Sequence, residues 1–107
     1  MRPKPVRLRS LAEQDVSDAL SFYLDEEAYG AASRFSELLE EALRHIGSYP
    51  GGGSPRYAVE LAVPGLRYWR VPGFPHLVFY VDRGEYGDVW RILHVERDLH
   101  RWVSVDE

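Results

Sequence analysis

A change of hydrophobic period constrains this chain most. Up to Gly47 the large apolar residues recur every three or four positions; beyond the stretch Tyr49-Pro50-Gly51-Gly52-Gly53-Ser54-Pro55 they recur every second one. Ala32, Phe35, Leu38, Leu39, Ala42, Leu43 and Ile46 trace one face of a helix, with Glu37, Glu40, Glu41 and Arg44 on the other side and Gly47 placed as its C′ residue. Ahead of it, Val16, Ala19, Leu20 and Tyr23 mark a first helix over 11–27. Ser10 and Glu13 are spaced as a capping box at its start, and a bend near Tyr29-Gly30 separates the two helices. Val6 and Leu8 alternate with Arg7 and Arg9 as a short first strand. Three consecutive glycines make the intervening loop either mobile or folded only against something else.

The period-two half predicts strands over 57–63, 67–72, 76–82 and 89–95. They are joined by turns at Pro64-Gly65 and Gly73-Phe74-Pro75 and by the loop 83–88. The tail 96–103 fits a helical turn or an extended arm. Such links are too short for parallel crossovers, which need a dozen or more residues. The fold class is therefore α+β: two N-terminal helices packed on an antiparallel sheet, in the order β-α-α-β-β-β with a further strand. The helices cover one sheet face, and the other is expected to be open, carrying arginines and aromatics. The 107 residues, 1–107, are read as one domain.

Charge is unevenly laid out. Residues 1–10 hold four basic groups and no acid, and residues 11–45 hold nine acids against two arginines. Residues 56–101 hold seven arginines against six acids, and Asp106 and Glu107 follow. The net −4 argues against a nucleic-acid surface. Only Lys4 among the thirteen basic residues is a lysine, so local recognition of carboxylate or phosphate falls to arginine. The absence of cysteine excludes disulfides and thiolate chemistry. No apolar run reaches the length of a membrane span and no signal peptide is evident, so a cytoplasmic protein without a membrane partner is expected.

Familiar chemical motifs are missing. The glycine run lacks GxGxxG spacing and a strand–helix setting. The histidines at 45, 76, 94 and 100 make no compact ligand set, and no serine sits in a nucleophile elbow, so neither metal nor cofactor is expected. The carboxylates of the second helix read as a solvated face. The informative residues are Arg67, Arg70, Arg91, Arg97 and Arg101. Alternation puts Arg67 with Trp69 on one face of their strand and Tyr68 with Arg70 on the other. Leu77, Phe79 and Val81 oppose Val78, Tyr80 and Asp82, while Val89, Arg91, Leu93 and Val95 oppose Trp90, Ile92, His94 and Glu96. Arg67 has two compatible readings: an ion pair with Asp98 or Glu96, or an anion contact beside aromatics. Tyr80 and Trp69 read as packing residues.

The segments PGLR at 64–67, GFPHLVFY at 73–80 and RILHVERD at 91–98 together resemble the ParE/RelE superfamily of bacterial toxin–antitoxin toxins, nearer its ParE-like, plasmid-stabilisation branch. The likeness runs from DVSDALSFY at 15–23 through the second helix and its loop to Asp98. It implies two N-terminal helices on an antiparallel sheet, and a growth-inhibiting toxin neutralised by a cognate antitoxin, ParD-like or similar. ParE-like members of the superfamily poison DNA gyrase; RelE-like members cut messenger RNA on the ribosome. A protein of this fold without toxicity is a further alternative.

By the resemblance, Arg67 matches the family's sheet arginine and Arg97 its late one. Arg91, Arg70 and Trp102 join them as target-binding candidates, and Asp98 is expected to orient an arginine in a structural ion pair. RelE-type catalysis leans on lysines ahead of the sheet arginine, but between Pro50 and Gly65 the only basic residue here is Arg56. An RNase would have to draw on Arg67, Arg97, His94, His100 and Glu60, and Trp102, near the family's late tyrosine, has no hydroxyl proton to give. The departure favours the gyrase-directed reading. Whether the chain is an enzyme stays open. The arginine-rich sheet edge and late segment suit an acidic antitoxin tail, and the apolar helix seam suits an antitoxin helix.

Overall fold

The computed structural model describes residues 2–104; Asp106 and Glu107 lie outside the described residues. In chain order they form β1 (Val6–Leu8), α1 (Ser10–Asp25), α2 (Tyr29–Ser48), a 3-10 turn (Pro50–Gly52), β2 (Leu66–Arg70), β3 (His76–Asp82), β4 (Gly87–His94) and α3 (Leu99–Ser104). The sheet order is β1-β4-β3-β2. The meander β2-β3-β4 is antiparallel, as its short links require. One edge departs from an all-antiparallel sheet: β1 joins β4 in parallel, with Val6 opposite Gly87 and Leu8 opposite Val89.

The α-hairpin follows its sequence pattern. Ala32, Phe35, Leu39, Ala42 and Ile46 of α2 are buried, and Phe35, Leu39 and Ile46, with Ala12 and Ala19 of α1, share one core with Val78, Tyr80, Val89 and Ile92 of the sheet and with Val71 just beyond β2. The expected caps do not form. Arg9, not Ser10, precedes the first turn of α1, and its carbonyl accepts the Glu13 N–H at 3.0 Å with no side-chain cap. The Arg9 N–H is held by the Val89 carbonyl, so β1 runs straight into the helix and leaves Ser10 no capping position. The bend falls at residues 26–28, where Glu27 adopts φ 56, and Gly30 sits inside α2. Gly47 is likewise helical, not a C′ residue. A Cβ there would strike the Lys4 carbonyl, because the N-terminal arm crosses α2 and its Lys4 N–H bonds the Gly47 carbonyl.

Two further expectations are corrected. Residues 57–63 form no strand but a series of turns, with Leu61 N–H donating to the Tyr57 carbonyl and Val63 N–H to that of Ala58. The apparent alternation concealed a helix-like spacing: Tyr57, Ala58 and Leu61 pack inward while Val59 is 89 % exposed. This segment and α3 cover the sheet face expected to be open. Leu61 and Leu99 close a second core over Leu66, Leu77, Phe79, Val81 and Leu93, so β3 is buried on both faces. The second correction lies in β4. A bulge shifts its pairing between Phe79 opposite Arg91 and Tyr80 opposite Val89. Val89 and Ile92 therefore share the helix-side core despite their odd spacing, which simple alternation could not anticipate.

The glycine loop is folded against the sheet. Tyr80 Oη donates to the Pro50 carbonyl at 2.7 Å and accepts the Gly53 N–H at 3.1 Å, and Arg67 Nη1 donates to the Gly53 carbonyl at 2.7 Å. Ser54 then pairs with Tyr68 through both backbone bonds.

Candidate functional site

The side chains with chemical potential gather where β4 loses its neighbour. β1 ends opposite Val89 and the chain turns into α1, so the outward N–H groups of Ile92 and His94 face no strand. Buried backbone donors need partners, and an open edge invites foreign strands. Two aspartates take the strand's place. Asp15 of α1 accepts the Ile92 N–H at 2.8 Å and holds Arg91 through both oxygens, Nε at 2.8 Å and Nη2 at 2.9 Å. Asp98 accepts the His94 N–H at 3.1 Å and reaches Arg97 Nε at 3.4 Å. The bond to Asp15 holds the Arg91 guanidinium more firmly protonated than usual, outweighing burial, which acts the other way.

His94 folds the turn into α3. Its Nδ1 accepts the N–H groups of Glu96 at 3.2 Å and Arg97 at 3.1 Å, a role open only to an unprotonated nitrogen. Its ring packs edge-on against His76 at 5.3 Å. His76 is 3 % exposed and, among the described residues, neither ring nitrogen has a hydrogen-bond partner. Burial, followed by the nearby His94 and Arg97, pushes its pKa down to about 4, so the ring is neutral at physiological pH.

Between α1 and the β4–α3 turn lies a cleft of about 610 Å³ lined by these groups. Asp15, Asp18, Phe22 and Asp25 form the α1 wall, and Arg97, Arg101 and Trp102 the α3 wall. A small cavity of about 60 Å³ beside it joins His76 and His94 to Tyr23 and Arg97. At the other end of β4, buried Asp88 receives both Nε and Nη2 of Arg9, Nε of Arg83 and the Trp90 indole N–H. These hydrogen bonds, Arg9 first, hold its carboxyl below the usual carboxylate range against the opposing effect of burial. Arg9 also lies 3.9 Å over the Trp90 ring, so this cluster locks β1 to the β3–β4 hairpin.

The structure divides the residues singled out from sequence. Arg91, Arg97, Trp102 and Asp98 line one cleft, and His94 lines the small cavity that shares Phe22, His76 and Arg97 with it. Arg67 stands apart on edge strand β2 opposite Tyr80, holding the loop at Gly53. The ion pair expected between Arg67 and Asp98 or Glu96 is not formed, because Asp98 serves the β4 edge and Arg97 instead. Arg70 is exposed with its Nε on the Phe74 carbonyl at 3.1 Å. Glu60 is exposed on the turn segment over the second core, and His100 is exposed on α3. Trp69 stacks on His45 at 3.9 Å, a packing role as expected. Trp102 packs edge-on against Phe79 at 4.8 Å, which seats α3.

Asp15, Asp18, Asp25 and His76 escaped sequence reasoning. The available signal was the 3–4–3 spacing of Asp15, Asp18, Phe22 and Asp25, which puts acids and an aromatic on one helical face. Among the described residues no group of three or more histidine or carboxylate side chains could hold a metal ion, and no helix is long and apolar enough to cross a membrane.

A family model, the ParE toxin of the type II toxin–antitoxin system parDE, matches residues 6–99. Among solved structures, a chain of the chromosomal ParDE toxin–antitoxin system from P. aeruginosa is similar in fold. It has a TM-score of 0.64 at 21 % identity, and the match covers 86 % of this chain and 96 % of that one. No curated protein matches the sequence.

Proposed function

The chain belongs to the ParE toxin family of type II toxin–antitoxin systems, and from that premise we propose that it arrests bacterial growth by poisoning DNA gyrase in the cytoplasm, and that a cognate, ParD-like antitoxin neutralises it. One observation carries the choice of gyrase over messenger RNA: the residues an RNase would need do not converge. Arg67 pairs with Tyr80 on one side of β3, and His94 pairs with His76 on the other. Four residues along a strand and two strand spacings put them about 16 Å apart. Glu60 lies on the turn segment over the opposite sheet face. A hydroxyl attacking its neighbouring phosphate needs base, charge stabiliser and acid within hydrogen-bond reach of the same few atoms.

A gyrase poison needs no such constellation. It needs an accessible surface, and Arg97 and Trp102 supply one at the α3 wall of the cleft. Arg70, exposed on β2, is a second contact point. Arg67 and Arg91 act by holding the loop and α1 in place. Purified chain added to gyrase should halt supercoiling and leave broken DNA, with Arg97→Ala and Trp102→Ala weakening the effect. Undisturbed supercoiling, together with cleavage of messenger RNA on ribosomes, would replace this reading with the RelE-like one.

A further inference from the structure

We propose that the cleft between α1 and the β4–α3 turn seats a basic side chain, an arginine or lysine carried by the antitoxin, with its head toward Asp18 and Asp25 and its aliphatic stem between Phe22 and Trp102. The proposal rests on the antitoxin reading above and specifies the chemistry of the segment that docks. It runs opposite to the acidic tail that the arginine count of the sequence invites.

The balance of committed and uncommitted charge is the first argument. Arg91 is consumed by Asp15 in a two-pronged pair, and Arg97 leans on Asp98. Among the described residues neither Asp18 nor Asp25 forms an ion pair; Asp18 takes only the amide of Gln14, at 2.8 Å. The acidic wall also continues past the cleft, since α1 carries no basic residue and is followed by Glu26 and Glu27. Arg101, exposed on the facing wall, opposes a cationic guest and is outnumbered.

The second argument is His76. It lines the cleft, is 3 % exposed and, among the described residues, has both ring nitrogens unpaired. A buried neutral imidazole left this way has one nitrogen that can accept, and an incoming N–H donor would restore that one bond. Its neutral ring offers an acceptor without adding charge, and a guanidinium or ammonium is all donor. The third argument is apolar. Phe22 is 46 % exposed on one wall and Trp102 is half-buried on the other; Arg97 already lies 5.6 Å over the Phe22 ring, so what remains for a guest is apolar surface that suits the methylene stem of a long basic side chain.

The signs of two substitutions test this. With the full chain and the antitoxin encoded beside it, the dissociation constant is measured for wild type, Asp18→Asn/Asp25→Asn and Arg101→Gln. All three positions are exposed, so the variants keep the fold, which equal melting temperatures verify. The aspartate double variant should bind about tenfold more weakly, corresponding to two modest ion pairs. Arg101→Gln should bind several-fold more tightly, and both differences should shrink at high salt. Weaker binding of Arg101→Gln with tighter binding of the aspartate variant would overturn the assignment in favour of an acidic guest. A wild-type complex that ignores both changes would overturn it as well, leaving the antitoxin reading intact. If no wild-type complex forms, the antitoxin reading falls and the assignment with it.

Discussion

His76→Leu should make this protein more resistant to acid, although it removes a residue at the meeting point of β3, β4 and the helices. The side chain lies among Phe35, Phe74 and His94, with ring centroids at 4.8, 6.5 and 5.3 Å. Leucine has a similar volume and no polar atom to strand. Burial lowers the histidine pKa from 6.5 to about 4. Between those values the unfolded chain binds a proton that the folded chain refuses, so its stability is intact above pH 6.5 and falls as pH drops toward 4. A gap of that size corresponds to about 3 kcal/mol, lost at up to about 1.4 kcal/mol per pH unit. At neutral pH the leucine variant should gain about 1 kcal/mol from removing unpaired buried nitrogens. Urea unfolding of both proteins at several pH values between 7 and 4 reads the difference directly, given equal m-values. Two shifted aspartates do not obscure it. Asp82 and Asp88 have carboxyls held below 3.8 by their hydrogen bonds to Lys4 and Arg9, so their contribution is present above that value and lost only at lower pH. Parallel stability curves from pH 6.5 to 4 would refute the reasoning, because they would mean that His76 protonates in place.

Asp15→Ala should destabilise by about 3 kcal/mol in chemical unfolding, since it strands Arg91 and the Ile92 N–H together. Gly47→Ala should lose about 2 kcal/mol, because backbone of the N-terminal arm occupies the space a Cβ needs, while Gly51→Ala, with nothing among the described residues within 4 Å, should be close to neutral in the same assay. Tyr80→Phe should cost about 1–2 kcal/mol and speed amide exchange at Gly53, whose N–H the hydroxyl holds.

Legibility followed the range of the interactions involved. The buried face of α2 and the division of β3 residues between two faces were readable because periodicity reports which residues share a side, but the cover over the second face of β3 was not. Residues 57–63 misled because Tyr57, Val59, Leu61 and Val63 satisfy the period of a strand, while the actual turns depend on Leu61 finding a core built from β2, β3 and α3. Ser10 lost its capping role to a long-range bond between Arg9 and Val89, which no local spacing encodes. The cleft was half visible. Arg91, Arg97, Asp98 and Trp102 lie within twelve residues of one another, but Asp15 joins them across 76 positions, and only the bulge in β4 and the early end of β1 create the unsatisfied edge it fills. Arg67, prominent in sequence, holds the glycine loop to the sheet.

Pulse labelling after inducing this chain alone in a bacterial host tests the central claim most directly. DNA and protein synthesis are followed over the first minutes. Incorporation into DNA should fall first, with protein synthesis following later, as expected of a toxin that acts on gyrase. An early collapse of protein synthesis with DNA synthesis still running would contradict the account and point to the ribosome.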